Sequence, residues 1–209
     1  MPGGRKRLLD SRVLMIAAVA VVGVALLASG SAAADTGAVA ASRSGHVWGA
    51  AEEVPGTAAL NRGDFADITV SCASAGNCSA GGGYTDSSGH SQAFVDSQVN
   101  GTWGPATAVA TALNTGGSGR IESVSCASAG NCSAGGDYTD RSFHQQAFVV
   151  GQVNGTWHTA IEVPGTPALN QGGYAAITSV SCTSAGDCSA GGYYQVRSLH
   201  LQAFVDSET

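Results

Sequence analysis

The feature that most constrains this chain is that it is written three times. Trp48, Trp103 and Trp157 stand 55 and 54 residues apart. The pairs Cys72/Cys78, Cys126/Cys132 and Cys182/Cys188 recur at steps of 54 and 56, and Phe94, Phe148 and Phe204 keep the same steps. A repeat of this length is one supersecondary unit, and it buries its apolar face only against a neighbour. The fold is therefore expected to be a set of like pieces: one domain over residues 47–209, made of units 48–102, 103–156 and 157–209.

Each unit reads as four short strands. The first carries the Trp, as in W-H-T-A-I-E-V before Pro164. A Gly/Asn-rich loop follows, here Pro164 to Gly173. The second strand is I-T-S-V-S-C, the third starts at the second Cys (C-S-A-G-G-Y-Y), and the fourth is Q-A-F-V-V-G-Q-V. Asn100-Gly101 and Asn154-Gly155 then lead to the next Trp. Asn-Gly between apolar runs is the strongest short hairpin signal, because both residues tolerate positive φ. No sustained helical period exists, so the class is all-β.

Four strands in about 54 residues suit a β-propeller blade. A β-trefoil-like body is the alternative for a threefold repeat. In the propeller reading the Trp strand closes the outside of a blade. Residues 47–54 are then an outer strand without inner ones, and the chain stops on the inner strand Q-A-F-V-D-S-E-T. Propellers carry four to eight blades. Three wedges therefore predict a homodimer with six blades, an open or strained three-blade arc, a monomer in which 47–54 folds back onto 201–206, or a shortened form of a longer ancestor.

The N-terminus reads as an export signal. Arg5, Lys6, Arg7 and Arg12 precede an uncharged apolar run from Val13 to Leu27, and Ala32-Ala33-Ala34 offers a cleavage site. The run is short for a membrane span, which takes about 20 residues. The expectation is a signal peptide over 1–34, a small-residue leader over 35–46, a secreted product and no stable membrane insertion after cleavage. What remains has five basic residues, all Arg, against 14 acidic ones. An acidic, Lys-free surface argues against nucleic acid as a partner and excludes Schiff-base and P-loop chemistry.

Outside the cell cysteines oxidise, and C-x5-C joins two strands that face each other across a small loop. The pairs expected are Cys72–Cys78, Cys126–Cys132 and Cys182–Cys188. Zinc sites favour shorter spacings, so metal is the weaker reading.

The motifs S-V-S-C-A-S-A-G-N-C-S-A-G-G and Q-A-F-V…V-N-G-T-W resemble secreted actinobacterial repeat proteins related to the BNR/Asp-box and YVTN-type propellers. The resemblance covers 48–209. Ser97 to Trp103 reads S-Q-V-N-G-T-W, without the Asp of an Asp-box and one residue shorter. A sialidase-type activity would imply an Arg triad, a Tyr/Glu pair and an acidic base, none of which matches here.

Candidate ligand residues are few. His90, His144 and His200 recur as H-x-Q-A-F and either converge on an axis or bond a neighbouring loop. Tyr84, Tyr138 and Tyr193 follow the Gly runs and belong to core or rim. Tyr194, Phe65, Phe143 and Tyr174 break the repeat, and unit-specific loop residues are where specificity enters. The Trp residues fill gaps between sheets or stack on sugars. Asp86, Asp137, Asp140 and Asp187 suit turns. Arg62-Gly63-Asp64 reads as a turn. Glu53 and Glu162 are equivalent, but Ala108 interrupts the series, which speaks against a shared catalytic role. No nucleophile elbow, HExxH, phosphate loop or dinucleotide fingerprint occurs, and nothing calls for a cofactor. The sequence thus points to a secreted, non-catalytic binding or scaffold module, with carbohydrate or cell-wall glycan as the favoured ligand. An extracellular propeller-type hydrolase, or its inactive remnant, is the alternative.

Overall fold

The computed structural model describes residues 48–208. The signal-peptide and leader expectations fall on residues outside that range. The described chain is all-β, with three antiparallel sheets and two single-turn helices.

Sheet one is a meander of β1 (Ala66–Ser74), β2 (Asn77–Thr85) and β3 (Ser91–Val99). Two short strands continue on β3: β4 (Thr102–Trp103) and β5 (Thr107–Val109). Sheet two repeats the plan with β6 (Gly119–Ser128), β7 (Asn131–Thr139), β8 (Gln145–Val153), β9 (Thr156–Trp157) and β10 (Ile161–Glu162). Sheet three has only β11 (Ala176–Ser184), β12 (Asp187–Gln195) and β13 (Leu201–Ser207). The helices α1 (Thr57–Leu60) and α2 (Thr166–Leu169) lie in the loops that lead into sheets one and three.

The Asn-Gly turns form as their chemistry requires, with Asn100 at φ 50° and Asn154 at φ 49°. The expected Trp strand is instead two short pieces. Trp157 pairs with Gln152, Ile161 pairs with Val149, and His158 N donates to the Gly151 carbonyl between them. Each such strand finishes the sheet before it in sequence. The loop Pro164 to Gly173 is not wholly irregular, since it holds α2.

The double glycine has a steric cause. A Cβ on Gly82, Gly136 or Gly192 would lie 1.9 Å from a carbonyl oxygen of the inner strand beside it: Asp67, Arg120 or Ala176. The preceding glycine makes room for the next sheet instead. Gly81 faces Ile121 of sheet two, and Gly135 faces Ile177 of sheet three. One core lies between sheets one and two, around Val95, Ile121, Phe148 and Val150, with Trp157 packed on it. A second lies between sheets two and three, around Ala147, Val163, Ile177 and Val180. Hydrogen bonds cross both gaps: Cys126 N donates to Ser71 Oγ at 3.1 Å, and Cys182 N to Ser125 Oγ at 3.0 Å. The sheets therefore stack in sequence order, inner strand to inner strand.

The chain departs from expectation at its ends. Residues 48–54 form no strand, and among the described residues β13 has no outer neighbour. Among the described residues, 48–54 thus do not fold back onto 201–206. Val54 runs directly into α1, which is held on sheet one, and sheet three lies beyond sheet two.

Candidate functional site

All three disulfides form as paired in the sequence reading, Cys72–Cys78, Cys126–Cys132 and Cys182–Cys188, and no described cysteine is free. In each, the two residues are direct partners in the ladder of one hairpin. Closing so small a loop is worth about 2 kcal/mol in chain entropy.

The histidines stand apart, each at the turn before the third long strand of its own sheet. A Cβ on Gly117 would lie 2.6 Å from the His90 ring, and one on Gly173 would lie 2.6 Å from His144. Both rings thus cover the entry loop of the next sheet. Among the described residues no group of three or more His, Cys, Asp or Glu could hold a metal ion. The turn aspartates have plain structural work. Asp86 Oδ1 accepts from Ser88 N and His90 N, while Gln92 Nε2 donates to Oδ2. Asp140 repeats this with Ser142, His144 and Gln146. The Gln92 side chain, with help from these N–H groups, holds the Asp86 carboxyl below the usual range.

Tyr84 and Tyr138 are core residues, 5% and 4% exposed, each with its ring near Phe94 or Phe148. Tyr193 is not their equivalent. Tyr194 takes that place beside Phe204, and Tyr193 occupies the register of Gly83 and Asp137. Tyr84, Tyr138 and Tyr194 each stand six residues after the second Cys, so counting from that Cys finds the match; the Tyr193-Tyr194 pair hides it.

That register position leads to the most distinctive cleft. At one end of the stack lies a cavity of about 280 Å³, bounded by Phe65, Ser91, Arg120, Asp137, Gln145 and Tyr174. Sheets one and two contribute strand residues, and Phe65 and Tyr174 come from the loops that enter sheets one and three. Tyr174 and Tyr193 pair with ring centroids 5.2 Å apart, and Phe65 and Tyr174 are 37% and 42% exposed. Arg120 sits among three carboxylates. Its Nη2 meets Glu122 Oε1 at 2.5 Å, Nε meets Asp137 Oδ1 at 3.6 Å, and Nη1 meets Asp67 Oδ2 at 4.0 Å. Asp67 is also tied down, because Gly83 N donates to its Oδ1.

Asp137 is the unusual member. Its Oδ1 is buried at ion-pair distance from Arg120 but accepts no hydrogen bond. Burial pushes its carboxyl up to about 7, against the pull of Arg120, and Glu122 and Asp67 add to the rise. Burial likewise raises the Tyr193 hydroxyl, helped by Tyr174. A cleft with aromatic faces, one cation and a carboxyl that is part-protonated near neutrality can stack on a flat apolar surface and exchange hydrogen bonds with a polar ligand.

Sequence reasoning singled out Phe65 and Tyr174, but it read Asp137 as a turn residue, whereas Asp137 lies within β7 opposite Arg120, and it missed Arg120, Asp67 and Glu122. It also missed the asparagines of L-N in each unit. Asn114 Nδ2 donates to the Ser91 carbonyl and Gln92 Oε1, and its Oδ1 accepts from Thr139 N. Asn170 Nδ2 donates to the Gln145 carbonyl and Gln146 Oε1, and its Oδ1 accepts from Tyr174 N and Gln195 N. Each therefore clips one sheet to the next, and the recurrence of Leu-Asn was the available signal. Arg62-Gly63-Asp64 is a bend whose Arg62 N donates to the Thr85 carbonyl. No helix among the described residues is long and apolar enough to cross a membrane. Neither a protein-family model nor a curated protein matches the chain.

Proposed function

We propose that the chain is an exported, non-catalytic binding protein whose three sheets act as adjacent propeller-type blades and whose ligand is a carbohydrate, such as a cell-wall glycan. The observation that carries this reading is the cleft at the end of the stack. Its lining includes residues that break the repeat, Phe65, Arg120, Asp137 and Tyr174, and Tyr193 packs its ring against Tyr174. A scaffold that repeats for packing departs from its pattern where a ligand is read. Aromatic faces match the C–H surface of a sugar ring, and Arg120 with its carboxylates matches hydroxyls. The three disulfides support export to an oxidising compartment. A glycan array and polysaccharide pull-down test the reading. Tyr174→Ala and Arg120→Ala should each weaken binding about tenfold, the loss of roughly 1.4 kcal/mol. A protein that binds no glycan, or variants that bind as wild type does, removes it.

One observation favours a second reading. Asp67, Glu122 and Asp137 are unit-specific acids gathered at one end of the stack, and Asp137 near 7 suits a general acid. An extracellular hydrolase would use it so. Turnover in a chromogenic glycoside or ester panel, abolished by Asp137→Asn, would replace the binding reading.

A further inference from the structure

The two ends of the stack carry the two halves of a contact the chain already makes twice. Between sheets one and two, and again between sheets two and three, the same parts meet. An outer strand is laid on the edge of the earlier sheet. An Asn at the end of the following loop then clips that sheet to the next. Isoleucine from the later sheet packs into the glycine face of the earlier one.

At the ends these parts are present but unmated. Among the described residues the edge strand β13 pairs with nothing on its outer side, and Leu201 and Val205 are 53% and 86% exposed. Its counterparts β3 and β8 are covered by β5 and β10. Residues 48–54, W-G-A-A-E-E-V, are the counterpart of W-H-T-A-I-E-V at 157–163, yet they form no strand, and Trp48 is 96% exposed. Asn61 is the counterpart of Asn114 and Asn170. Its Oδ1 accepts from Thr85 N, as theirs do from the equivalent strand, but among the described residues nothing accepts from its Nδ2. Ile68 and Val70 of β1 are half-exposed, whereas Ile121, Val124, Ile177 and Val180 are buried.

We propose that a second copy of the chain completes both ends, sheet three of each copy receiving residues 48–54 and sheet one of the other. The register follows from the internal contacts. Ile161 pairs with Val149 and Glu162 with Phe148, so Glu52 pairs with Val205 and Glu53 with Phe204 of the second copy. Asn61 Nδ2 then donates to the Leu201 carbonyl and Gln202 Oε1. Glu53 takes the place of Glu162, which lies against the Tyr138 hydroxyl, and so meets Tyr194. Trp48 takes the place of Trp157, which packs between sheets one and two with Nε1 on Ser97 Oγ. Its receptacle is the apolar groove of about 480 Å³ between sheets two and three, walled by Val149, Ile161, Val180, Ala190 and Ser207. Gly151 replaces that serine there, and Glu208 lies beside it to accept from the indole N–H. One position differs: Asp64 stands where Gly117 and Gly173 lie under the histidines, so the His200 ring turns aside and faces a carboxylate.

The assembly follows from the reading of the sheets as blades. Two copies of the three described sheets supply six, a number that closed rings contain. The contact is head-to-tail, and two copies close it with no edge left open.

Light scattering coupled to size exclusion on the purified protein, with no glycan present, should give twice the chain mass at micromolar concentration. Asn61→Asp keeps the acceptor toward Thr85 and removes both donors, and it should raise the dissociation constant at least about tenfold. Mixing two single variants, Glu52→Cys in one chain and Val205→Cys in the other, should give a reducible cross-linked pair, since directly paired antiparallel residues lie within disulfide reach. A single-chain mass, an open series of larger species, or a Glu52→Cys/Val205→Cys double variant that cross-links only within one chain overturns the proposal. None of these outcomes depends on whether a glycan binds.

Discussion

Asp137 shows how one side chain is governed by where the register puts it. Gly83 and Tyr193 hold the same position in the other sheets, so at this register position sheet two alone carries a carboxyl. Its value in the fold is about 7, above the 3.8 of a free carboxyl. The folded chain therefore keeps a proton that the unfolded chain gives up. By linkage its contribution is full below about pH 4 and is lost as pH rises toward 7. Asp86 and Asp140 work in the opposite direction, because their lowered values make them stabilising above pH 4. Thermal unfolding should thus show Asp137→Asn less destabilised than wild type between pH 4 and pH 7, by up to a few kcal/mol on the order of the shift. Parallel melting curves over that interval would contradict the assignment. The same residue scale explains why Arg120 escaped notice: an Arg in one repeat of three is unremarkable until the fold sets Glu122, Asp137 and Asp67 around it.

At the level of the hairpin, glycine and cysteine act at opposite ends. The disulfide fixes the tip, where Cys126 and Cys132 are ladder partners. The glycine permits the approach of the inner strand further along. Gly136→Ala would place a Cβ 1.9 Å from the Arg120 carbonyl, and backbone cannot move aside cheaply. The expected outcome is a loss of at least about 3 kcal/mol in urea unfolding, or insoluble protein. Cysteine replacement is milder. Cys126→Ser with Cys132→Ser should cost about 2 kcal/mol and speed amide exchange in β6 and β7 alone. Intact mass should rise by six hydrogens on full reduction, because all six cysteines are paired. These hairpins were legible in the sequence, since Asn-Gly, C-x5-C and the double glycine are local chemistry. The divided Trp strand was not, since the interruption at 158–160 arises where β9 and β10 follow β8 at two separate places.

Among the described residues the main contacts join sheet two to sheets one and three, so their stability should behave as a chain of nearest-neighbour terms. Ser125 is the place to test this, because its Oγ accepts from Cys182 N across the second gap. Ser125→Ala should cost about 1 kcal/mol. Its effect on hydrogen exchange should concentrate in β11 to β13 and leave β1 to β3 near wild type. Uniform loss of protection would mean that the three sheets unfold as one unit.

The sequence by itself determined the repeats, the three long strands of each, the hairpin turns and the disulfide pairs, but not the Trp strand. Each depends on residues close together in the chain, and threefold repetition makes every local signal appear three times. Only the tertiary structure decided what the repeats do to one another. Tyr84 and Tyr138 became core, while Tyr193 went to the cleft, because strand register and not residue type selects the face. Asn114 and Asn170 became clips between sheets because each reaches a strand about 25 residues away in sequence. Phe65, Arg120 and Tyr174 came to border one cavity because stacking brings equivalent ends of three sheets together. The physical reason is the range of the forces involved: turn and hairpin preferences act within a few residues, whereas packing and desolvation act between surfaces that exist only once the sheets have met.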